Sequence, residues 1–413
     1  MVSKRQRILF VAENLTLAQV VRIASLASRL DPAEYEVHFA ASDFDPLVFD
    51  ATGFETWRIY SIDKSSSLGR VERGERIYET QVLERYVDEE LALFERIRPD
   101  LVVGDFRLSL PTSAELMGVP CAALINAYWS PYALRDSFPL PDHPIVKLVG
   151  VERAQRYFPQ ALPKVFGYFA APLNKLRKSR GLAPLGGLLD ALTRADFTLY
   201  PDVPDLCPTT SLPPNHYYLG HIPWSPGIDA PDVTALLRER LELPLVYVTL
   251  GSSGLVSVLD SVVAALGELP VIGLVATADR IELRQAPKNV VVTTYAPGDL
   301  AARRAAFVVT NGGASTSYQA LCEGKPVLGI PSNMDQYLAM TCIERARAGR
   351  LLRSGSADKA SVRSALLELL SSAALAEGAA ALGRIFAEYD CHRRFQTFLR
   401  QVLRAPQSSP LAS

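Results

Sequence analysis

The chain has 413 residues, of which 48% are apolar and 21% charged, and its 43 basic and 44 acidic residues leave a formal net charge of -1. This length corresponds to two or three domains of about 100–200 residues each, and the lack of a basic excess argues against nucleic acid as a partner. No stretch reaches the roughly 18 apolar residues that a membrane span needs, so the sequence predicts a cytoplasmic protein without an integral membrane segment.

The five cysteines and five histidines show no spacing typical of metal or redox sites. An odd number of isolated cysteines is typical of a protein whose thiols are reduced and lie in or near the core. The histidines form no HxxH-type cluster. We therefore expect no protein-bound metal.

In the first half of the chain, short β-type runs alternate with helical patterns. The N-terminal run Ile8–Ala12 predicts a strand and not a signal peptide, and a helix is expected over Leu17–Leu30. Another helix is expected over Thr112–Met117, ended by Gly118. Further strands are predicted at Tyr35–Ala40, Leu101–Gly104, Cys121–Ile125 and Phe197–Tyr200. Residues 60–90 and 130–180 fit this alternation poorly, and irregular helices and loops are expected there.

The second half repeats the alternation after a segment rich in proline and turn residues. Strands are predicted at Leu245–Leu250, Val271–Val275, Val290–Thr294, Phe307–Thr310 and Val327–Gly329. A last helical region over Leu382–Leu403 precedes a tail that we expect to be disordered. Alternating strands and helices predict an α/β protein with parallel sheets.

These elements predict the following domain limits. An N-terminal doubly wound domain covers residues 1–212, and the interdomain linker covers 213–231. A second doubly wound domain covers 232–380. A C-terminal helix over 381–404 packs back toward the N-terminal domain, and residues 405–413 form the tail. In such sheets ligands bind at the carboxyl ends of the strands, so the loops after Ala12, Gly104, Leu250 and Thr310 should converge on one cleft.

The loop after Phe307–Thr310 has the composition of an anion site. Gly312 and Gly313 allow close approach of the backbone to a ligand. The hydroxyls and N–H groups of Ser315, Thr316 and Ser317 precede a helix expected at 318–323, whose N-terminus favours negative charge. The alternative is an ordinary turn between strand and helix with a Ser/Thr cap.

The next loop along the chain strengthens the prediction of a ligand site. It opens another helix with Asp335 and Gln336, beside the predicted anion loop. A carboxylate and an amide together suit the hydroxyl groups of a sugar. The alternative for Asp335 is a helix N-cap.

Several runs resemble the family 1 glycosyltransferases, in the bacterial macrolide-glycosyltransferase-like branch that also resembles UDP-glucuronosyltransferases. Residues 311–340, NGGASTSYQALCEGKPVLGIPSNMDQYLAM, resemble the nucleotide-sugar signature of that family. The resemblance extends to PLVYVTLGSSG at 244–254, PKNVVVTTYAPGDL at 287–300, YLGHIPWSP at 218–226, and N-terminal runs at 8–30 and 100–120. It implies the GT-B fold, in which two Rossmann-like domains face a cleft.

The resemblance also implies a donor site. Asn311 stands where most members have a histidine that contacts the diphosphate, and Gln319 stands where a glutamate often binds the ribose. The implied diphosphate-cradling residues are Gly312, Gly313, Ser315 and Thr316, with Ser252 and Ser253 on a second phosphate-side loop. Tyr295 and Ala296 match the positions that grip the base, and Asp335 and Gln336 match the pair that holds the donor sugar. The donor would be a UDP-sugar or dTDP-sugar, bound as a substrate with no cofactor.

The sequence departs from the family at the general base. Gln19 stands where the family has its catalytic histidine, and Arg22 stands where a proline usually follows. Asp105 matches the aspartate that orients that histidine, so we expect Gln19 in the cleft near Asp105. Because an amide cannot take a proton in this pH range, the acceptor could be acidic already. Asp105 could instead act as base, directly or through water, or His143 could reach the site.

The resemblance thus predicts an inverting, metal-independent transferase with a small-molecule or lipid-like acceptor. A peripheral membrane contact for a lipid acceptor stays open, as does the oligomeric state. The alternatives are a catalytically silent relative that binds a nucleotide sugar or a partner, and another GT-B enzyme such as an epimerase. An epimerase would need a second set of charged groups at the anomeric side, which the sequence does not reveal.

Overall fold

Two parallel sheets organise the chain in this computed structural model. It describes residues 5–50, 52–64, 67, 69–70, 75–142, 144–225, 227–228, 230–250, 256–278 and 286–404. Ser252, Ser253 and His143 lie outside the described residues, as does the predicted tail 405–413. The α/β class and the two parallel sheets agree with the prediction from the sequence.

The N-terminal sheet has seven strands in the order β3-β2-β1-β4-β5-β6-β7, all parallel. They are β1 Gln6–Ala12, β2 Tyr35–Ala41, β3 Glu55–Arg58, β4 Leu101–Asp105, β5 Cys121–Leu124, β6 Phe197–Tyr200 and β7 His216–Tyr218. The central strands are continuous runs of buried apolar residues because helices cover both faces of the sheet. Strand order reverses between β1 and β4, which places a crevice at their carboxyl ends.

The C-terminal sheet has six strands in the order β10-β9-β8-β11-β12-β13, again all parallel. They are β8 Leu245–Thr249, β9 Ile272–Ala276, β10 Val290–Thr293, β11 Phe307–Thr310, β12 Val327–Gly329 and β13 Gly349–Leu351. Here the order reverses between β8 and β11. The loop after β11 is the predicted anion loop.

The helices that flank the N-terminal sheet are α1 Leu17–Ala27, α2 Pro46–Phe49, α3 Thr80–Ile97, α4 Leu110–Met117, α5 Pro144–Val149, α6 Val151–Ser179 and α7 Leu188–Leu192. Those of the second half are α8 Pro231–Arg238, α9 Leu259–Leu266, α10 Gly298–Arg304, α11 Ala314–Cys322, α12 Met334–Arg345, α13 Lys359–Ser371, α14 Ala373–Ala387 and α15 Cys391–Arg404.

Residues 130–142 form loops, as expected, but the expectation of irregular structure fails beyond them, because α6 is one continuous helix of 29 residues that contains Pro159, Pro163 and Pro172. Proline in a helix removes one backbone hydrogen bond. Pro159 and Pro163 are exposed, so water can bind the carbonyl groups that lose their partners. The predicted linker, 213–231, contains strand β7.

The C-terminal helical region is two helices, α14 and α15, and not the one that the sequence predicts. The aromatic face of α15 packs on the N-terminal sheet, with ring centroids 6.1 Å apart for Phe395 and Phe10 and 5.3 Å for Phe398 and Phe197. The domain limits themselves stay a prediction.

Among the described residues, no single helix has both the length and the apolar character to cross a membrane. Helices α13 and α14, bent by 69° at their junction, meet those criteria only when they are taken together.

Candidate active site

Polar side chains follow three neighbouring strands of the N-terminal sheet at its carboxyl edge. Asp105 ends β4 opposite Ala12 of β1, Asn126 lies two residues beyond β5, and Asp202 lies two residues beyond β6. All three polar side chains are buried. They gather at the crevice because the carboxyl ends of parallel strands meet at one edge.

Asp105 forms a buried ion pair with Arg22 of α1. Arg22 Nε donates to one carboxylate oxygen at 2.7 Å and Nη2 donates to the other at 2.6 Å. Burial raises the pKa of Asp105 to about 6, and the guanidinium opposes that rise while Asp335 adds to it. The Arg22 pKa is in turn raised by Asp105, against the effect of burial. The pair therefore stays charged near neutral pH.

Gln19 has a different role from the predicted one. It is buried, and its side-chain oxygen accepts hydrogen bonds from the backbone N–H groups of Leu15 and Thr16 at 3.2 and 3.0 Å. These bonds fix the start of α1. The structure thus corrects the expectation that the Asp105 carboxylate is ready to orient a base at position 19, because Arg22 holds both of its oxygens.

The ion pair continues into a network that reaches the C-terminal half. Arg22 Nη1 donates to Asn126 Oδ1 at 2.8 Å, and Asn126 Nδ2 donates to Asp202 Oδ1 at 3.0 Å. The Tyr318 hydroxyl of α11 donates to the same Asp202 oxygen at 2.5 Å. The N–H of Ala127 satisfies the second oxygen at 2.6 Å. Helix α11 is thereby bonded to the edge of the N-terminal sheet.

The predicted anion loop has a geometry that only glycine fits at one position. Gly312 has φ of +79°, and a Cβ there would lie 2.7 Å from Met340 Cγ. Its N–H donates to Thr310 Oγ1 at 2.8 Å, and the N–H of Gly313 donates to Asn311 Oδ1 at 3.0 Å. The Asn311 side chain therefore shapes the loop that the resemblance assigns to the diphosphate.

Helix α11 begins earlier than predicted, at Ala314, with Gly313 as its N-cap. Ser315 and Thr316 consequently lie in its first turn, half-buried, and they are not cap residues. The first N–H groups of a helix lack partners within it and can bind an anion. Ser317 is buried and its hydroxyl lies 3.2 Å from that of Thr310, which corrects its prediction as a cap.

The base-side residues lie beside the start of α10. Tyr295 is exposed and Ala296 is half-buried. The Gln319 side-chain nitrogen donates to Asp299 Oδ1, and a Cβ at Gly298 would lie 2.9 Å from Gln319 Oε1. The structure thus brings Gln319 together with the loop of Tyr295 and Ala296, and it adds Asp299, which the sequence reasoning did not select.

Asp335 faces the N-terminal half across the cleft. Its Oδ1 accepts from Trp129 Nε1 at 2.8 Å and from the Tyr128 hydroxyl at 3.1 Å. Burial raises the pKa of Tyr128, so the hydroxyl keeps its proton. Asp335 is not the N-cap of α12, because Asn333 holds that position and accepts the Gln336 N–H.

Gln336 is less accessible than its neighbour. It is buried, and its side-chain oxygen accepts the N–H of Ser332 at 2.8 Å and the Ser332 hydroxyl at 3.1 Å. Asp335 is only half-buried. Of the predicted pair, Asp335 is therefore the better placed to bind a ligand.

Several residues of this site escaped the sequence reasoning, namely Arg22, Asn126, Tyr128, Trp129, Asp202, His221 and Asp299. Asn126 and Asp202 could have been found, because each follows a predicted strand at the carboxyl edge, as Asp105 does. His221 could not, since it lies in the proline-rich segment. Its ring centroid is 6.2 Å from that of Tyr318. Burial and the charge of Arg22 lower its pKa to about 4, so the imidazole is neutral near pH 7.

One group of side chains away from the cleft could hold a metal ion by distance. Glu36, His38 and Glu55 lie on β2 and β3 with ligand atoms within 4.8 Å of one another. His38 already accepts the indole N–H of Trp57 at 3.2 Å, and its other ring nitrogen lies 3.1 Å from Glu36. These contacts account for the imidazole without a metal.

Comparison with known proteins identifies relatives over almost the whole chain. No protein-family model matches the chain. A PGL/p-HBAD biosynthesis glycosyltransferase of Mycobacterium tuberculosis (strain ATCC 25177 / H37Ra) is 44% identical over 386 residues, which are 93% of this chain and 90% of the relative. A PGL/p-HBAD biosynthesis rhamnosyltransferase of Mycobacterium bovis (strain BCG / Pasteur 1173P2) is also 44% identical, with 93% and 85% covered.

Solved structures agree on the architecture. The spinosyn rhamnosyltransferase SpnG matches with a TM-score of 0.70 at 20% identity, covering 95% of this chain and 99% of that one. The Streptomyces sp. SF2575 glycosyltransferase SsfS6, complexed with thymidine diphosphate, matches with a TM-score of 0.67 at 21% identity, covering 95% and 100%.

The two sheets, the cleft between them and these relatives define an enzyme class, the glycosyltransferases of the GT-B fold. The chain belongs to the family 1 glycosyltransferases, together with the PGL/p-HBAD biosynthesis glycosyltransferases. The predicted family and enzyme class are thus confirmed.

Proposed function

We propose that this glycosyltransferase is inverting and metal-independent, and that it moves a sugar from a UDP-sugar or dTDP-sugar to a small-molecule or lipid-like acceptor. One observation carries the proposal. The loops after β11 and β12 place the start of α11 and the Asp335 carboxylate side by side at one sheet edge. The first suits a diphosphate and the second suits sugar hydroxyls.

The proposed chemistry is a single displacement. The acceptor oxygen forms a bond to the anomeric carbon while the bond from that carbon to the diphosphate oxygen breaks, which inverts the configuration. The N–H groups at the start of α11 and its dipole stabilise the negative charge on the departing diphosphate. This counter-charge is the reason for proposing a reaction without a metal.

An acidic acceptor fits the proton balance of this site. General-base help contributes about 10²–10⁴-fold to a rate, and Gln19 cannot supply it. Arg22 holds both oxygens of Asp105, and His221 has a pKa of about 4. We therefore propose a phenol, carboxylate or phosphate acceptor, which needs little help to lose its proton.

A second candidate function is a catalytically silent protein that binds a nucleotide sugar. The closed ion pair of Arg22 and Asp105 favours it, since an orienting carboxylate without a base has no catalytic partner. A Mycobacterium bovis (strain BCG / Pasteur 1173P2) relative named as an inactive PGL/p-HBAD biosynthesis glycosyltransferase is 43% identical over 267 residues, covering 64% of this chain and 72% of the relative.

Titration calorimetry with UDP and dTDP, followed by hydrolysis and transfer assays with their sugars, separates the two candidates. We expect one nucleoside diphosphate to bind and its sugar to be hydrolysed slowly without acceptor. Because Asp335 faces the sugar in the proposal, Asp335→Ala should abolish transfer and spare diphosphate affinity. The matched control is Asp260→Ala, at an exposed carboxylate in the first turn of α9.

Two results would contradict the proposal, and a third would contradict the role of Asp335. If neither nucleotide binds, both the donor site and its use in transfer are wrong. If a nucleotide sugar binds but no acceptor or water receives its sugar, the silent protein is the better description. If Asp335→Ala lost as much affinity for the nucleoside diphosphate without its sugar as for the nucleotide sugar, Asp335 would not be the residue that binds the sugar.

A further inference from the structure

The first two-thirds of α6 stands away from the protein core. None of residues 151–169 is buried, whereas Ala170, Leu173 and Leu176 in the last part of the helix are at most 1% exposed. That last part packs against α3 and α4, where Arg177 donates to Thr112. The helix is thus anchored at one end on the N-terminal half and projects at the other. We call residues 144–169 the α5–α6 segment.

This segment exposes an unusual amount of apolar surface. Leu148 is 85% exposed and Tyr157 is 59% exposed. Five of the 15 large apolar side chains that are exposed among the described residues lie here, namely Leu148, Val149, Val151, Tyr157 and Tyr168. A further set is half-buried and belongs to none of the four hydrophobic clusters of the described chain: Phe158, Leu162, Val165 and Phe169. Phe166 is also half-buried, with its ring centroid 5.0 Å from that of Phe138. An exposed apolar surface of this kind is typical of a site of interaction.

The same segment concentrates positive charge in a chain that is otherwise balanced. Residues 144–169 contain four basic residues, Lys147, Arg153, Arg156 and Lys164, and a single acid, Glu152, against 43 basic and 44 acidic residues in the whole chain. Four more basic residues follow in the anchored part of α6, where Arg177 pairs with Glu115 and Arg180 pairs with Asp88. Within the segment, Arg153, Arg156 and Lys164 are exposed beside the apolar side chains.

We propose that the α5–α6 segment binds the surface of a bilayer that contains anionic phospholipids. A basic amphipathic helix with aromatic and aliphatic residues lies in the plane of such a surface, with its apolar face at the acyl boundary. Each Lys or Arg near an anionic leaflet adds about 1 kcal/mol of attraction. The charge favours this occupant over an uncharged apolar partner. Delivery of a lipid-like acceptor from that bilayer rests on the proposed function, whereas the binding itself does not.

Flotation of the full chain with vesicles tests the proposal. Vesicles of phosphatidylcholine alone should bind weakly, and vesicles with added phosphatidylglycerol should bind strongly and lose protein as salt screens the charges. Arg153→Gln with Arg156→Gln should weaken partition to the anionic vesicles about 30-fold, at about 1 kcal/mol for each residue. Leu148→Ser with Val151→Ser should weaken partition to both vesicle types.

Matched controls come from an exposed arginine and an exposed leucine on the C-terminal half. Arg240 is exposed and Leu243 is 41% exposed, and both lie between α8 and β8, outside the α5–α6 segment. Arg240→Gln and Leu243→Ser should therefore leave vesicle binding unchanged. Every variant should retain transfer to a water-soluble acceptor. Lost vesicle binding with retained transfer therefore separates this proposal from the proposed function.

Three outcomes would overturn the proposal. The first is no binding to either vesicle type, and the second is equal binding of wild type and the Arg153/Arg156 variant. The third is a concentration-dependent dimer, measured by sedimentation, that the Leu148/Val151 variant abolishes without any vesicle binding by the wild type. That result would assign the surface to a second copy of the chain.

Discussion

Arg22→Met should destabilise the protein strongly, and the loss should grow with pH. The substitution keeps the aliphatic length of the side chain and removes the guanidinium that binds Asp105 at 2.7 and 2.6 Å. It leaves a carboxylate with no exposed surface and without its ion-pair partner. Such a group must either keep an unpaired buried charge or take up a proton.

The expected magnitude follows from the geometry of the pair. A bidentate pair places its charge centres about 4 Å apart, which corresponds to about 4 kcal/mol at an effective dielectric constant of about 20. Removal of one partner from a buried ion pair costs about 3–5 kcal/mol in other proteins. We expect Arg22→Met to lose about that much free energy of unfolding at pH 8.

The pH dependence has a definite sign. Burial raises the pKa of Asp105 from its ordinary value of 3.8 to about 6 in the presence of Arg22, and without the guanidinium the folded-state pKa rises further. A raised pKa means that the folded state binds the proton better, so stability is lost as pH rises through the folded pKa. The variant should therefore be closest to wild type near pH 5 and furthest from it near pH 8.

Denaturant unfolding at several pH values measures both effects, with the slope m as a check that the transition is unchanged. Arg22→Met with Asp105→Asn is the control, because the amide mimics the protonated carboxyl and should recover most of the loss. Its stability should also lack the pH dependence of the single variant. A single variant within about 1 kcal/mol of wild type at pH 8, or a double variant no more stable than the single one, would refute this reasoning.

The other predictions concern the cleft. Gly312→Ala should cost about 1–3 kcal/mol of stability through the positive φ of this residue, and it should lower diphosphate affinity in calorimetry. Gly313 has a φ of -67°, so Gly313→Ala should lose less stability and less affinity. Equal losses in the two variants would contradict the loop geometry. Trp129→Phe removes the N–H that binds Asp335 and should cost about 1 kcal/mol in denaturation, and unchanged stability would argue against that contact. Gln19→His alone should not raise the transfer rate, because the neighbouring carboxylate is held in an ion pair; a gain of about tenfold in steady-state assays would show otherwise.

Much of the fold could be predicted because its strands are short apolar runs between turn residues. Phe307–Thr310 and Val327–Gly329 match the predicted limits, since Asn311 follows the first directly and Pro331 lies two residues beyond the second. Helix α6 was missed for the opposite reason. Its prolines contradict local helix rules. Exposure lets water replace the hydrogen bonds lost at Pro159 and Pro163, whereas Pro172 lies buried in the anchored part of the helix.

The site was predictable in its location and not in its contacts. The loop at Gly312 follows from glycine and hydroxyl residues at the end of a strand. The partner of Asp105 does not follow from the sequence. Gln19 and Arg22 lie three residues apart on α1, and either side chain could reach the sheet edge. The choice between them depends on their hydrogen-bond partners, namely the backbone N–H groups before α1 that bind Gln19 and the side-chain oxygen Oδ1 of Asn126 that binds Arg22.

The hydroxyl of Tyr318 joins the two halves of this molecule through one buried hydrogen bond. Tyr318 lies on the helix that begins at the predicted diphosphate loop, and its bond to Asp202 fixes that helix to the N-terminal sheet. A ligand that displaces the N-terminal end of α11 therefore also displaces its hydrogen-bonded partners in turn, namely Asp202, Asn126 and Arg22. Any widening of the cleft must either break this buried chain of polar groups or move α11 together with the N-terminal sheet, leaving the rest of the C-terminal half to bend around them.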